Sequence, residues 1–266
     1  MNALRRYLAY FRMTLFVWSA YRMNVFLWFF MELSRIVVLF YLWSAVYAER
    51  PGEALGGYRL PEMIGYVFIS VLVHSYTSGD TVFLVSRRVT EGTIALDLTR
   101  PVDFQTVYFF SDLGGKAVLA AANAAALVVA VAAFGIPHPT GSGWAVFALS
   151  LFLAGSINFY LDFLVSLLSF QITNLWGIFI ASESVFAFFS GVTIPLAFFP
   201  PALRAVADRL PFACIVFAPV NLFLGKLSPD ETARLLGRQL LWALALCAAG
   251  RLCFSVAARR VTIHGG

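Results

Sequence analysis

The chain has 266 residues, of which 61% are hydrophobic and only 12% charged, with a formal charge of +5. Soluble domains carry about 25% charged residues, and at a mean hydropathy of +0.82 there is too little polar surface to cover several apolar stretches of roughly 20 residues. A soluble fold of any class is excluded. Nucleic acid is not an expected partner either, because the basic residues form no long cluster and sit mostly at the ends of apolar segments, as membrane topology places them.

In chain order, residues 4–20 are expected to form an amphipathic helix lying in the membrane interface. Leu4, Tyr7, Phe11, Leu15 and Trp18 recur on one face, and Arg5, Arg12 and Ser19 on another. The simpler alternative is a loose extension of the first span. The arginines scattered through this stretch, and the lack of a small-residue cleavage site, argue against a cleavable signal peptide.

Span 1 is expected at 25–47, with Glu32 and Arg35 spaced i,i+3 so that they can pair on one face. Span 2 is expected at 62–84 and carries His74, Ser75, Ser78 and Asp80. A polar loop, residues 86–104, follows. Span 3 covers 107–134. Its Ala117, Ala121 and Ala125 recur every fourth residue, either to admit another helix or as part of a generic alanine-rich helix. Span 4 covers 144–169, and span 5 runs from near Ile172 to about Phe199. Residues 200–224 hold apolar pieces broken by Pro200, Pro201, Pro211 and Pro219, each too short to cross alone, and read as short re-entrant helices packed against protein. Span 6 is expected at 235–257.

The expected fold is thus all-α: a polytopic membrane protein with six transmembrane helices, an interfacial N-terminal helix and re-entrant extracytoplasmic helices between spans 5 and 6. Six spans put both termini and the 86–104 loop on one side. The Arg87-Arg88 and Arg259-Arg260 pairs sit directly at span ends on that side, which makes it the cytoplasmic one.

The chain has no GxxxxGK[ST] loop, no HExxH and no GxGxxG. His74, His138 and His264 lie on different elements, so no metal site is expected. Cys214, Cys247 and Cys253 have no CxxC spacing and read as small hydrophobes. Ser78 four residues after His74 would be a minimal hydrolase pair, but side chains bonding between helices explain it more simply. Asp112 and Lys116 are i,i+4 and can neutralise each other; Arg251 is placed to snorkel. Asp162 and Glu183 lie deeper. They either line a substrate path or tie helices together, and in a proton-coupled secondary transporter one of them would carry the proton. Such transporters tend to show paired halves, and no such repeat is visible here.

The 86–104 loop carries the most information. Arg87 and Arg88 can anchor its start at lipid headgroups, Glu91-Gly92 interrupts the apolar pattern, and Ile94, Leu96 and Leu98 alternate with Ala95 and Asp97 before Arg100-Pro101. Exposed aliphatics between charges suit docking into a groove on another protein; the alternative is a connecting loop tucked under the spans.

In this loop Arg88, Gly92, Leu96, Leu98, Arg100 and Pro101 resemble the pattern of the ABC-2-type permeases, in their uncharacterised six-span branch. Val89 departs from it, standing where the family has isoleucine. Ser190, Gly191, Ile194, Pro195, Leu196, Phe199, Pro200, Leu203, Leu210, Pro211 and Phe212 resemble a second family pattern. The resemblance covers essentially the whole chain and implies a single transmembrane permease domain, 1–266, with no catalytic, cofactor-binding or metal-binding residue of its own. ATP and Mg would sit on two partner ABC ATPase subunits, and a second permease, identical or related, would complete the pathway. The family's coupling helix lies in the loop after span 2, which points to Arg88, Glu91, Gly92, Ile94, Leu96, Leu98, Arg100 and Pro101 as the ATPase-coupling residues. Glu32, Arg35, Asp162 and Glu183 are candidates for the pathway or for helix packing; Asp162 and Glu183 have no place in the family pattern. Export of an amphipathic or hydrophobic substrate across the bacterial cytoplasmic membrane is the implied activity; 27 Phe, 10 Tyr and 6 Trp would suit such a substrate, though lipid-facing surfaces carry aromatics too.

Overall fold

The computed structural model describes residues 3–172 and 174–258. Arg259, Arg260 and His264 lie outside the described residues, as do the side chains of Arg22 and Ala133. Among the described residues the chain is all-helical, with one isolated bridge between Leu55 and Tyr58. The helices are α1 (Ala3–Ala20), α2 (Arg22–Ala48), α3 (Leu60–Thr77), α4 (Thr81–Thr90), α5 (Ile94–Leu98), α6 (Phe104–Phe134), α7 (Gly143–Ser166), α8 (Trp176–Phe189), α9 (Pro201–Ala207), α10 (Phe217–Phe223) and α11 (Pro229–Ala258).

Among the described residues five stretches are long and apolar enough to cross a bilayer: Phe26–Ala48, Leu60–Thr90, Phe104–Ala132, Gly143–Phe170 and Pro229–Ala258. The protein is therefore a multi-pass membrane protein. Span 2 is not one continuous helix. It breaks at Ser78–Asp80, where the Ser78 N–H still bonds the His74 carbonyl at 2.9 Å and α4 starts afresh at Thr81.

The stretch expected as span 5 is shorter than its apolar run suggests. Its helix, α8, has 14 residues, about 21 Å at 1.5 Å per residue, against a hydrocarbon core of about 30 Å. Apolar residues continue to Phe199, but the backbone turns at Ser190–Gly191. Gly191 has φ +83, and a Cβ there would lie 2.8 Å from the Tyr66 hydroxyl oxygen. Hydropathy alone does not register that stop; left-handed glycine conformation does. The Tyr66 hydroxyl then donates to the Gly191 carbonyl at 2.8 Å, and the Phe217 N–H to the Ser190 carbonyl at 3.0 Å.

The proline-rich segment is re-entrant, as expected. Its two helical pieces, Pro201–Ala207 and Phe212–Phe223, are bent by 74°. Irregular backbone is tolerated at membrane depth only where protein surrounds it. Here Ala213, Cys214, Ile215 and Val216 are fully buried. Gln239 of α11 donates to the Cys214 carbonyl at 2.7 Å and to the Ser150 carbonyl at 3.2 Å, so one buried amide satisfies carbonyls on two elements.

The main core gathers around α3, whose Met63, Tyr66, Ile69 and Val71 pack against Trp43 of α2, Ile157 of α7 and Phe223 of α10. At the end carrying residues 49–59, hereafter the cap end, the Tyr58 hydroxyl donates to Asn221 Oδ1 at 2.6 Å. Lys226 pairs with Glu62 at 2.6 Å and donates to the Gly57 carbonyl at 3.2 Å. Burial pushes the Tyr58 phenol up to about 12. A second cluster forms at the opposite end, the loop end, from Val85, Ile94, Phe104, Tyr108, Phe159 and Phe163.

Candidate functional site

At the loop end α4 runs on to Thr90, well into the segment read from sequence as loop. Gly92, with φ +70 and open space around it, turns the chain in a conformation that other residues rarely adopt. Five residues, Ile94–Leu98, then form α5. Asp103 caps the next helix, its Oδ1 accepting from the Thr106 N–H at 2.8 Å.

The three aliphatics of this segment do not share one fate. Ile94 is 3% exposed and belongs to the loop-end core, whereas Leu96 is 63% exposed; Leu98 is partly exposed. The expectation that all three are exposed is corrected for Ile94. The alternating pattern was read with a two-residue period, but the element is helical, so Ile94 and Leu96 point to different sides.

Asp97 holds α5 in place. Its carboxylate accepts from Arg88, from Arg100 Nη1 at 3.1 Å and from the Tyr108 hydroxyl at 3.1 Å. The Arg88 guanidinium also lies 5.8 Å from the centre of the Tyr108 ring. Arg88 is thus engaged by protein rather than free for headgroups. Arg87, the more exposed of the pair, bonds Glu91 at 2.7 Å.

The N-terminal helix is fastened to the same segment. Arg6 Nη1 donates to the Pro101 carbonyl at 3.1 Å, Arg100 Nη1 to the Tyr10 hydroxyl at 3.2 Å, and the Asp103 N–H to the Tyr7 hydroxyl at 3.2 Å. The Tyr7 ring stacks on Phe110 of α6 at 5.6 Å. Closer contact is made at Gly114, where a Cβ would collide with the Phe11 carbonyl oxygen, and at Gly115, where it would lie 3.2 Å from the Trp18 indole. Glycine lets two helix backbones approach in this way. The residues α1 turns towards α6 include Tyr7, Phe11, Leu15 and Trp18, four of the five on the expected apolar stripe; Leu4 stays exposed. By contrast, Ala121 and Ala125 are exposed.

Deeper in the bundle, charged residues gather at the break in span 2. Lys116, whose side chain is 2% exposed, donates to Asp112 Oδ2 at 2.5 Å and to the Gly155 carbonyl at 2.9 Å. A Cβ on Gly79 would lie 2.6 Å from Asp112 Oδ1 and 3.9 Å from Asp162 Oδ2, so the break brings together carboxylates from two other helices. Asp162 accepts from Asn158 at 2.9 Å. Asp162 and Glu183 line one cavity of about 370 Å³ between α7 and α8, otherwise walled mainly by aliphatic and aromatic side chains. Glu32 is buried on α2, with Arg35 at 3.9 Å and no hydrogen bond to its Oε2. The Ser78 hydroxyl bonds the His74 carbonyl at 2.9 Å and lies 3.4 Å from the His74 Nδ1, while the His74 ring stacks on Phe186; the shorter bond is helix-end geometry.

Sequence reasoning missed three features. Asp97 was visible as an i,i+3 partner of Arg100, but its role depends on Arg88, which α5 folds back to reach. Gly114-Gly115 carries a packing signal, two adjacent small residues within a span, that the every-fourth-residue alanine pattern of the same helix does not include. Gln239 and Gln105 carry no charge and so give no signal among the ionisable residues of the spans; Gln105 Nε2 donates to the Cys247 carbonyl at 3.1 Å.

Residues 33–265 match the profile of a family described as ABC-2 family transporter protein. No curated protein matches the chain.

Proposed function

Because the chain belongs to the ABC-2 transporter family, of which it is a membrane-embedded permease subunit, we propose that it is the membrane half of an ATP-driven exporter of amphipathic or hydrophobic substrates. Two separate ABC ATPase subunits supply the energy, and a second permease, identical or related, completes the pathway. The complex resides in the bacterial cytoplasmic membrane with both termini and the 86–104 segment on the cytoplasmic side.

The observation that carries the coupling part of this reading is the build of α5. Leu96 is 63% exposed on a helix whose other face is fixed by Ile94 and Asp97. An exposed apolar residue on a rigid, charged element suits a groove on a partner. Motion received there reaches α6 through Tyr108 and α1 through Arg100 and Pro101. Arg88, Glu91, Gly92 and Leu98 shape the element; Asp162 and Glu183 supply the polar part of an apolar route between α7 and α8.

The test is affinity purification of the tagged chain from its native membrane in mild detergent. Stoichiometric recovery of a P-loop ATPase supports the reading. Recovery of this chain alone, repeated in native-lipid particles, overturns it. The weight then moves to a proton-coupled secondary transporter, which the shared cavity of Asp162 and Glu183 favours.

A further inference from the structure

The cavity of about 370 Å³ between α7 and α8 has two kinds of wall. Leu161, Ile178, Phe186 and Phe212 make most of it apolar, while Asp162 and Glu183 set one carboxylate on each flanking helix. Among the described residues no lysine, arginine or histidine lines it. Its volume lies at the low end of the range for small-molecule sites, roughly 300–1,000 Å³, which suits a small amphiphile. Both carboxylates are half-buried, so an occupant of the cavity can reach them.

Each carboxylate has a counter-charge, but the counter-charges are shared. Asp162 accepts from the neutral amide of Asn158 at 2.9 Å and is drawn through space by Lys116. Lys116 bonds Asp112 directly and draws Asp80 as well, so one ammonium answers three carboxylates. Glu183 is drawn by Arg35 of α2 without a hydrogen bond between them. Arg35 also faces Glu32 at 3.9 Å, whose buried Oε2 has no hydrogen-bond partner. Five carboxylates thus meet two bases, and Asp162 and Glu183 repel each other across the cavity. Such a pair among membrane-embedded helices is relieved by positive charge placed between its members. Among the described residues no three His, Cys, Asp or Glu side chains are placed to hold a metal ion. The phenyl rings of Phe186 and Phe212 suit an organic ammonium instead, which joins a positive charge to apolar surface.

We propose that this cavity takes a monovalent organic cation as its substrate, with the ammonium between Asp162 and Glu183 and the aliphatic or aromatic body against Leu161, Ile178 and Phe212. The inference rests on the reading of this cavity as part of the transport route, and it narrows the amphipathic substrates to positively charged ones.

The test measures binding to the full chain in a neutral detergent without nucleotide, so that it does not depend on capture of an ATPase. Phenylbutylammonium, phenylbutanol and phenylbutyrate share one apolar body and differ in charge. Their affinities are read by saturation-transfer NMR and by melting temperature. The ammonium is expected to bind at least about tenfold more tightly than either of the others. Asp162→Asn and Glu183→Gln should each narrow that preference and together remove it, leaving phenylbutanol binding unchanged; the ligand-free melting temperature checks that the variants fold. Ala181→Trp, which fills the cavity without altering charge, should weaken all three probes and serves where a carboxylate variant does not fold. Equal affinity for ammonium and alcohol, as two carboxylates sharing a proton would give, overturns the proposal. So does a preference that survives the double variant, or ammonium binding undiminished in Ala181→Trp. A cation preference in a chain that captures no ATPase supports the site and counts against the ABC reading alone; no preference in a chain that does capture one overturns the site alone.

Discussion

Replacing Asp97 with asparagine keeps the size of the side chain but removes the charge on which three donors converge. Asparagine offers one acceptor oxygen, and its NH₂ would face cationic donors. Hydrogen bonds to charged groups contribute about 1.5–3 kcal/mol each. The Arg88 and Arg100 side chains are 35% and 48% exposed, so solvent screening reduces their share. A loss of about 2–4 kcal/mol in the docking of α5 is a reasonable sum for one hub carboxylate. At about 1.4 kcal/mol per factor of ten, the undocked population of the segment rises roughly 30- to 900-fold. Hydrogen–deuterium exchange of residues 91–103 reads this directly, with the amides of α7 as an internal reference. Exchange in the segment should quicken by that order while the reference stays constant. Unchanged protection of residues 91–103 in Asp97→Asn would refute the idea that this carboxylate holds α5.

Three further outcomes follow from contacts described above. Gly114→Val should push α1 off α6, at a cost of about 1–3 kcal/mol for overpacking; cysteines at Tyr7 and Phe110 that cross-link in the parent and fail to do so in the variant would report it. The folded Tyr58 phenol titrates near 12 instead of about 10, so the stability it contributes is complete below about pH 10 and is lost as pH rises towards 12; this alkaline loss, followed by phenolate absorbance and melting temperature, should disappear in Tyr58→Phe. Asp162→Asn should impair transport by at least about tenfold while the complex still assembles, and normal transport by a normally assembled variant would assign Asp162 to helix packing alone.

Much of the fold can be read from hydropathy because lipid imposes one demand, about 20 apolar residues per crossing helix. The expected spans near 25–47, 107–134 and 144–169 lie within or close to their helices, and the proline spacing at 200–224 marks the re-entrant bend. The errors arise where the backbone stops for reasons hydropathy does not measure. Span 2 breaks at Ser78–Asp80, and α8 ends at the left-handed Gly191 inside an apolar run. The site is less legible than the fold for a related reason. Asp97, Arg88 and Tyr108 are near in sequence yet meet only because Gly92 turns α5 back. Asp112 and Asp162 reach Gly79 from separate helices, and no local spacing could join them.

The hydrogen bonds at the cap end also set an order of events in time. Tyr58 and Asn221 are 163 residues apart, Tyr66 and Gly191 are 125 apart, and Lys226 and Gly57 are 169 apart. At about 5–20 residues per second, the ribosome takes roughly 6–34 s to cover such distances. Throughout that interval the α2–α3 hairpin has been made while the partners of its tyrosines do not yet exist. The first hairpin must therefore wait half-finished, its phenols satisfied by water or by the insertion machinery. Closure of the cap end is a late step of biogenesis, completed only when the last third of the chain arrives.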